Sequence, residues 1–261
     1  MYHSIFIGSK NTWDDWHLIP STRPVFKQPT QKIKTLEIPG GNGVLDLSTA
    51  LTGYPIYNNR EGTLEFNVVN GYKPWYVLCS EIANYLSGQK FKIVLEDDKG
   101  FYYDGKFTLN EWKSDKSWSK IVFDYNLDPF KWSGISTTED WYWDPFNFYS
   151  GIIVTDIFKD VPIQGSSGQA HRETHIPLDP VYLGKAPVCP RFTFTTSDGH
   201  GGMVWLNYID GGSKGPIYFE DGESYNADIV LDPTVEEIMV LARGDLEVTG
   251  TVSIDFRQGW L

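Results

Sequence analysis

The 261-residue chain is long enough to bury one large core or two modest ones. Its 41% hydrophobic and 15% aromatic content excludes a disordered chain, and 25 Gly and 15 Pro beside 10 Trp point to an all-β fold, because flat rings pack well on pleated faces. The net charge of −12 lies wholly in the second half: residues 1–132 carry 15 Lys+Arg against 15 Asp+Glu, residues 133–261 carry 7 against 19, and this excludes the basic face that nucleic acid requires.

No apolar run approaches the roughly 18 residues of a membrane span. Met1–Lys10 lacks the basic start and long apolar stretch of a signal peptide, so no membrane insertion or export is expected. Cys79 and Cys189 make no disulfide framework, which suggests folding in a reducing compartment.

In chain order, residues 21–60 come first, rich in Pro, Gly, Thr and Lys and without a clear core face. Asn42-Gly43 is a tight-turn signal, since both residues tolerate positive φ. A segment of this length reads as a projecting arm. Its apolar residues Leu36, Ile38, Val44 and Leu45 suit packing on a neighbouring subunit or on the chain's own sheet. Leu64, Phe66 and Val68 then alternate with Glu65 and Asn67, the period of a half-buried strand.

Pro74 suits a first helical turn. Trp75, Leu78, Ile82, Tyr85 and Leu86 recur at spacings of three and four, and Ser87-Gly88 supplies a stop. Cys79 falls in this pattern as a buried free thiol. Residues 90–109 read as a β-hairpin with Asp97-Asp98-Lys99-Gly100 at its tip, and Ile121, Phe123, Tyr125 and Leu127 as another strand.

A boundary falls near Lys131–Asp144, dividing the chain into domains 1–132 and 133–261. Beyond it, short strands are expected at Phe192 and Phe194, at Val204–Ile209, at Ile238–Leu241, and from Leu246 and Val248 through Val252, Ile254 and Phe256. Regularly spaced short strands separated by Gly/Asp turns predict a second β-sandwich. The fold class expected is mainly β, with two β-sandwich-like domains, the first bearing one α-helix and a long extended arm.

Several segments in this order resemble the distal tail protein family of long-tailed phages and prophages of Gram-positive bacteria. They are Trp13-Asp14-Asp15-Trp16, Leu36–Ser48 with its Ile38-Pro39-Gly40-Gly41-Asn42-Gly43 centre, Tyr54–Arg60, Asn84–Gly88, Lys92–Asp98, Tyr102–Lys106 and Leu127–Lys131. The resemblance covers residues 1–132. The second half matches mainly in its ending, Val252–Leu261. The resemblance implies a homo-hexameric ring at the tail tip of a virion, assembled in the host cytoplasm. This ring lies between the tail tube protein and host-facing tail-associated or receptor-binding proteins. It also implies a galectin-like sandwich as the second domain, no enzymatic activity and no cofactor. Leu36, Ile38, Pro39, Val44, Leu45, Tyr54 and Arg60 are the interface residues expected on this reading.

Other chemistry is thinner. His171 and His175 have zinc-ligand spacing, but Gly165-Ser166-Ser167-Gly168 and Pro177 flank them and a helix there is improbable, so no metal site is assigned. Glu236-Glu237, Asp97-Asp98 and Asp14-Asp15 are adjacent in sequence, so on strands each pair splits across two faces, a poor start for paired-carboxylate catalysis. No G-x-S-x-G signature is present. Gly199-His200-Gly201-Gly202 lacks a phosphate-binding lysine and reads as a hairpin loop. The competing reading is a cell-wall carbohydrate-binding module, with Trp141, Trp143, Trp205 and Tyr208 as rings for stacking. The His-x-Asn-x-Arg and Trp-Gly-x-Glu elements of galectin sugar sites are absent, and core packing explains the same rings.

Overall fold

The structure, a computed structural model, describes residues 3–69, 73–114, 119–139, 155–166, 172–178 and 184–261; Trp141, Trp143 and His171 lie outside these ranges. The fold is mainly β. The chain forms two compact units, residues 1–134 with Leu261 and residues 135–260.

The first unit contains β1 (Ile5–Ile7), β2 (Lys10–Asn11), β3 (Leu18–Pro20), β4 (Thr35–Glu37), β5 (Val44–Asp46), β6 (Arg60–Val68), α1 (Trp75–Leu86), β7 (Phe91–Leu95), β8 (Phe101–Ser114), β9 (Ser119–Leu127) and β10 (Lys131–Ser133). The main sheet runs β2-β1-β7-β8-β9-β6-β3, with β10 beside β8. One curled sheet builds this unit, with hydrogen bonding continuous from β7 through β8 and β9 to β6.

The period-two residues turn inward as their spacing predicts. Ile121, Phe123, Tyr125 and Leu127 of β9 are buried, as are Phe91, Ile93 and Leu95 of β7. The hairpin of β7 and β8 pairs Phe91 with Gly105 and Ile93 with Tyr103, and a short 3-10 turn at Glu96–Asp98 closes it. Helix α1 buries Leu78, Cys79, Ile82 and Leu86, while Trp75 and Tyr85 pack against the same core half-covered. Gly88, at φ +71°, ends it in the left-handed conformation that stops a helix at little steric cost.

The second unit contains α2 (Thr155–Phe158), β11 (Val161–Gln164), β12 (Thr174–Pro177), β13 (Arg191–Thr196), β14 (Gly202–Tyr208), β15 (Ser213–Phe219), β16 (Gly222–Tyr225), β17 (Val235–Ala242), β18 (Thr249–Asp255) and β19 (Gly259–Trp260). Two four-stranded sheets form, β11-β18-β13-β16 and β12-β17-β14-β15. Phe192 and Phe194 of one meet Phe219 of the other at ring separations of 4.9 and 5.7 Å, which places the core between the sheets. Gly202 is required there, since a Cβ would lie 2.0 Å from the Phe194 ring.

Two local expectations change. Gly199–Gly202 joins β13 to β14, which belong to different sheets, so it is an inter-sheet crossing and not a hairpin loop. The last long strand begins at Thr249; Leu246 and Val248 precede it in a turn closed by Val248 N–H on Asp245 C=O at 2.9 Å.

Candidate functional site

The arm is rooted in the first core and bare at its tip. Phe26 is buried, its ring edge-on to Tyr103 and Tyr125 at 4.8 and 5.0 Å, and the Lys27 N–H donates to the Tyr125 hydroxyl at 3.1 Å. Above this root the two limbs join through Lys32 N–H to Ile56 C=O and Asn58 N–H to Thr30 C=O, each 2.8 Å. A polar groove of about 570 Å³, lined by Lys27, Lys32, Asn58, Asn59 and Glu61 among others, runs beside the junction.

Further out, β4 and β5 form a separate two-stranded hairpin with Leu36 opposite Leu45 and Glu37 opposite Val44. The connecting residues include Gly40 and Gly43 at φ +79° and +77°, where a side chain would be strained. Every residue from 31 to 47 is exposed, including Leu36 at 52%, Ile38 at 53% and Val44 at 58%; Pro39 and Leu45 are exposed with them. Both faces of the hairpin therefore lack cover from their own chain. A two-stranded hairpin is marginal in water without a third strand or a packed face. Covering each of these side chains would contribute about 1 kcal/mol or more.

The remaining expected interface residues sit elsewhere. Tyr54 is half-buried on the returning limb. Arg60 is 2% exposed inside its own unit, where Nε donates to Pro129 C=O at 2.9 Å, Nη1 donates to Lys27 C=O at 3.1 Å, and the guanidinium stands 5.4 Å from the Tyr103 ring centre. It anchors the arm's base and presents nothing to a neighbour.

A second apolar patch escaped the sequence reading. Tyr76 and Val77 of α1 and Trp112 of β8 are exposed, with the Trp75 and Trp112 rings 5.8 Å apart. Its signal was present: Tyr76 and Val77 are apolar residues off the helix's inward stripe.

In the second unit, the two aromatics expected to face a saccharide part company. Trp205 lies on the outer face of β14, half-exposed, while Val204 and Leu206 fill the core. Strand alternation puts Tyr208 on the inner face with Val204 and Leu206, where an extra residue on β17, Glu236, lets it pair with the buried Val235; burial and the nearby Asp232 and Asp210 raise its pKa. His175 is on β12, its Nδ1 2.9 Å from a Glu237 carboxylate oxygen and its Nε2 3.8 Å from Glu173. Among the described residues no three His, Cys, Asp or Glu side chains gather in a metal-binding group.

No protein-family model matches the chain, and no curated protein does. Among solved structures, the crystal structure of SPP1 Dit (gp 19.1) aligns over 100% of both chains, with a TM-score of 0.58 at 14% identity. The chain has the fold of SPP1 Dit. That protein is described as a paradigm of the hub adsorption apparatus in phages infecting Gram-positive bacteria. The likeness extends over both units of this chain.

Proposed function

We propose that this chain is a structural, non-enzymatic component of a phage tail tip. It assembles as a homo-hexameric ring between the tail tube protein and host-facing tail-associated or receptor-binding proteins. The observation that carries this reading is the full-length likeness to SPP1 Dit, a hub adsorption protein. The first unit builds the ring, and the second, a sandwich of galectin-like kind, offers its surface to partners. The chain is made in the host cytoplasm and ends in the virion.

The arm supplies the subunit contact. Its tip carries Leu36, Ile38, Val44 and Leu45 without intrachain cover, and an apolar hairpin of this size is retained where a neighbour buries it. The patch of Tyr76, Val77 and Trp112 provides another apolar surface for a ring neighbour or the tail tube.

Light scattering across a concentration series, with native mass spectrometry, tests the ring. The full chain should reach six copies, and the double substitution Leu36→Asp with Leu45→Asp should drive it to smaller species. These residues face each other across β4 and β5, so both charges enter one contact without touching the core. A chain that stays monomeric at every concentration would count against a ring that it builds alone.

A further inference from the structure

The outer face of the β12-β17-β14 portion of the second unit carries an organised set of side chains. Strand register places Trp205 beside Met239, with His175 on the far side of Met239, and places Asn207 beside Glu237 in the next row. Asn207 Nδ2–H donates to one Glu237 carboxylate oxygen at 3.0 Å, and His175 Nδ1–H donates to the other at 2.9 Å. Burial pushes the Glu237 carboxyl up, but these two hydrogen bonds outweigh it, so its pKa lies below the ordinary value. The carboxylate is thus fixed and ionised, with lone pairs remaining on both oxygens, and Asn207 keeps its carbonyl and a second N–H.

Trp205 is held just as closely. The neighbouring strand β15 has an irregular register opposite it, and a Cβ on Gly215 would stand 2.7 Å from the indole Cδ1. The glycine lets the edge-strand backbone close against the ring, which fixes the indole on the sheet surface while leaving it half-exposed.

From this geometry we infer that Trp205, Asn207, Glu237 and His175 form a binding site for a neutral saccharide. A pyranose has an apolar C–H face that lies on an aromatic plane, and a rim of hydroxyls that both donate and accept. An indole on the same sheet face as an amide and a carboxylate with spare hydrogen-bonding capacity matches both surfaces. The charge of this half selects among sugars. With 7 Lys+Arg against 19 Asp+Glu it repels polyanions such as glycerol-phosphate polymers, and admits neutral hexose or N-acetylhexosamine chains. The inference goes beyond the ring reading and does not depend on it.

The test is saturation-transfer NMR and calorimetry on the full chain with maltotetraose, cellotetraose, galactotetraose and chitotetraose, and polyglycerol phosphate as the anionic comparison. At least one neutral tetrasaccharide should bind. Trp205→Ala and Glu237→Gln should each weaken that binding about tenfold or more, while Tyr225→Ala, at an exposed ring on β16 of the other sheet, leaves it unchanged. Trp205→Phe keeps a ring in place and should retain part of the affinity if the alanine variant folds poorly. Binding of polyglycerol phosphate alone, binding of none of the five, or equal binding by wild type and Glu237→Gln would each overturn the assignment. Mass measured on the same samples separates the two readings: six copies without saccharide binding sinks this inference only, and a saccharide-binding monomer counts against the ring only.

Discussion

Arg60 is the side chain whose removal should cost the first unit most. Burial lowers its pKa, yet a guanidinium stays protonated, and it satisfies the carbonyls of Pro129 and Lys27 where water does not reach. Arg60→Met keeps the bulk and leaves both acceptors unpaired, so unfolding of the first unit should lose about 2–4 kcal/mol, seen as a lower urea midpoint. An unchanged midpoint would show that these hydrogen bonds contribute nothing net. From the sequence the strand is expected to begin at Leu64 and Arg60 to end the arm as an interface residue; the strand in fact starts at Arg60, which shares the inward parity of Leu64 and Phe66. The two thiols give a second contrast. Burial pushes the Cys79 thiol up to about 11, whereas Cys189 is exposed. Iodoacetamide at neutral pH should therefore label Cys189 quickly and Cys79 only after denaturant, with peptide mapping as the readout. Rapid labelling at both positions would mean that α1 opens readily from the sheet.

Among the elements, the arm depends on how its root is held. Asp97, at the tip of the β7–β8 hairpin, accepts from His3 Nδ1 and from Arg23 Nε at 2.8 Å each, so the start of the arm is tied to the turn of that hairpin. Burial raises the Asp97 carboxyl, but the hydrogen bonds and charges of His3 and Arg23 outweigh this, for a net depression. A depressed carboxylate contributes stability above its unfolded value and loses it as pH falls. The root should therefore loosen below about pH 4 in the wild type and at neutral pH in Asp97→Asn. Amide hydrogen exchange across residues 21–26 measures this, and exchange that is indifferent to both changes would refute the tie. The strands and helix of this half were legible because alternation and the 3.6 period are local signals. Phe26 was not, since one aromatic between Pro24 and Gln28 has no period to mark it as core. The partner sheet of β14 was equally hidden: Gly199–Gly202 makes a turn in either topology, and only the long-range pairing with β17 decides. In the candidate saccharide site, Trp205 and Asn207 could be placed on one face from their spacing. Glu237 and His175 could not, because strand register brings them there from β17 and β12.

For the whole molecule, the charge partition constrains how copies can associate. Residues 133, 134 and 261 are uncharged, so the two compact units carry the same balance as the two sequence halves, zero in the first and −12 in the second. In the proposed hexamer, six neutral first units would bring no net repulsion, and the contacts proposed for the arm are apolar and little affected by salt. Six second units would each bring a net charge of −12, and these would oppose one another until the solution screens them. The Debye length shrinks from about 30 Å at 0.01 M salt to about 8 Å at 0.15 M. Raising sodium chloride across that interval should therefore shift assembly to lower protein concentration, in the light-scattering series proposed for the ring. An assembly that loosens with salt would place its cohesion in unlike-charge contacts, and would move the interface from the arm's apolar tip to the lysines and carboxylates around its root.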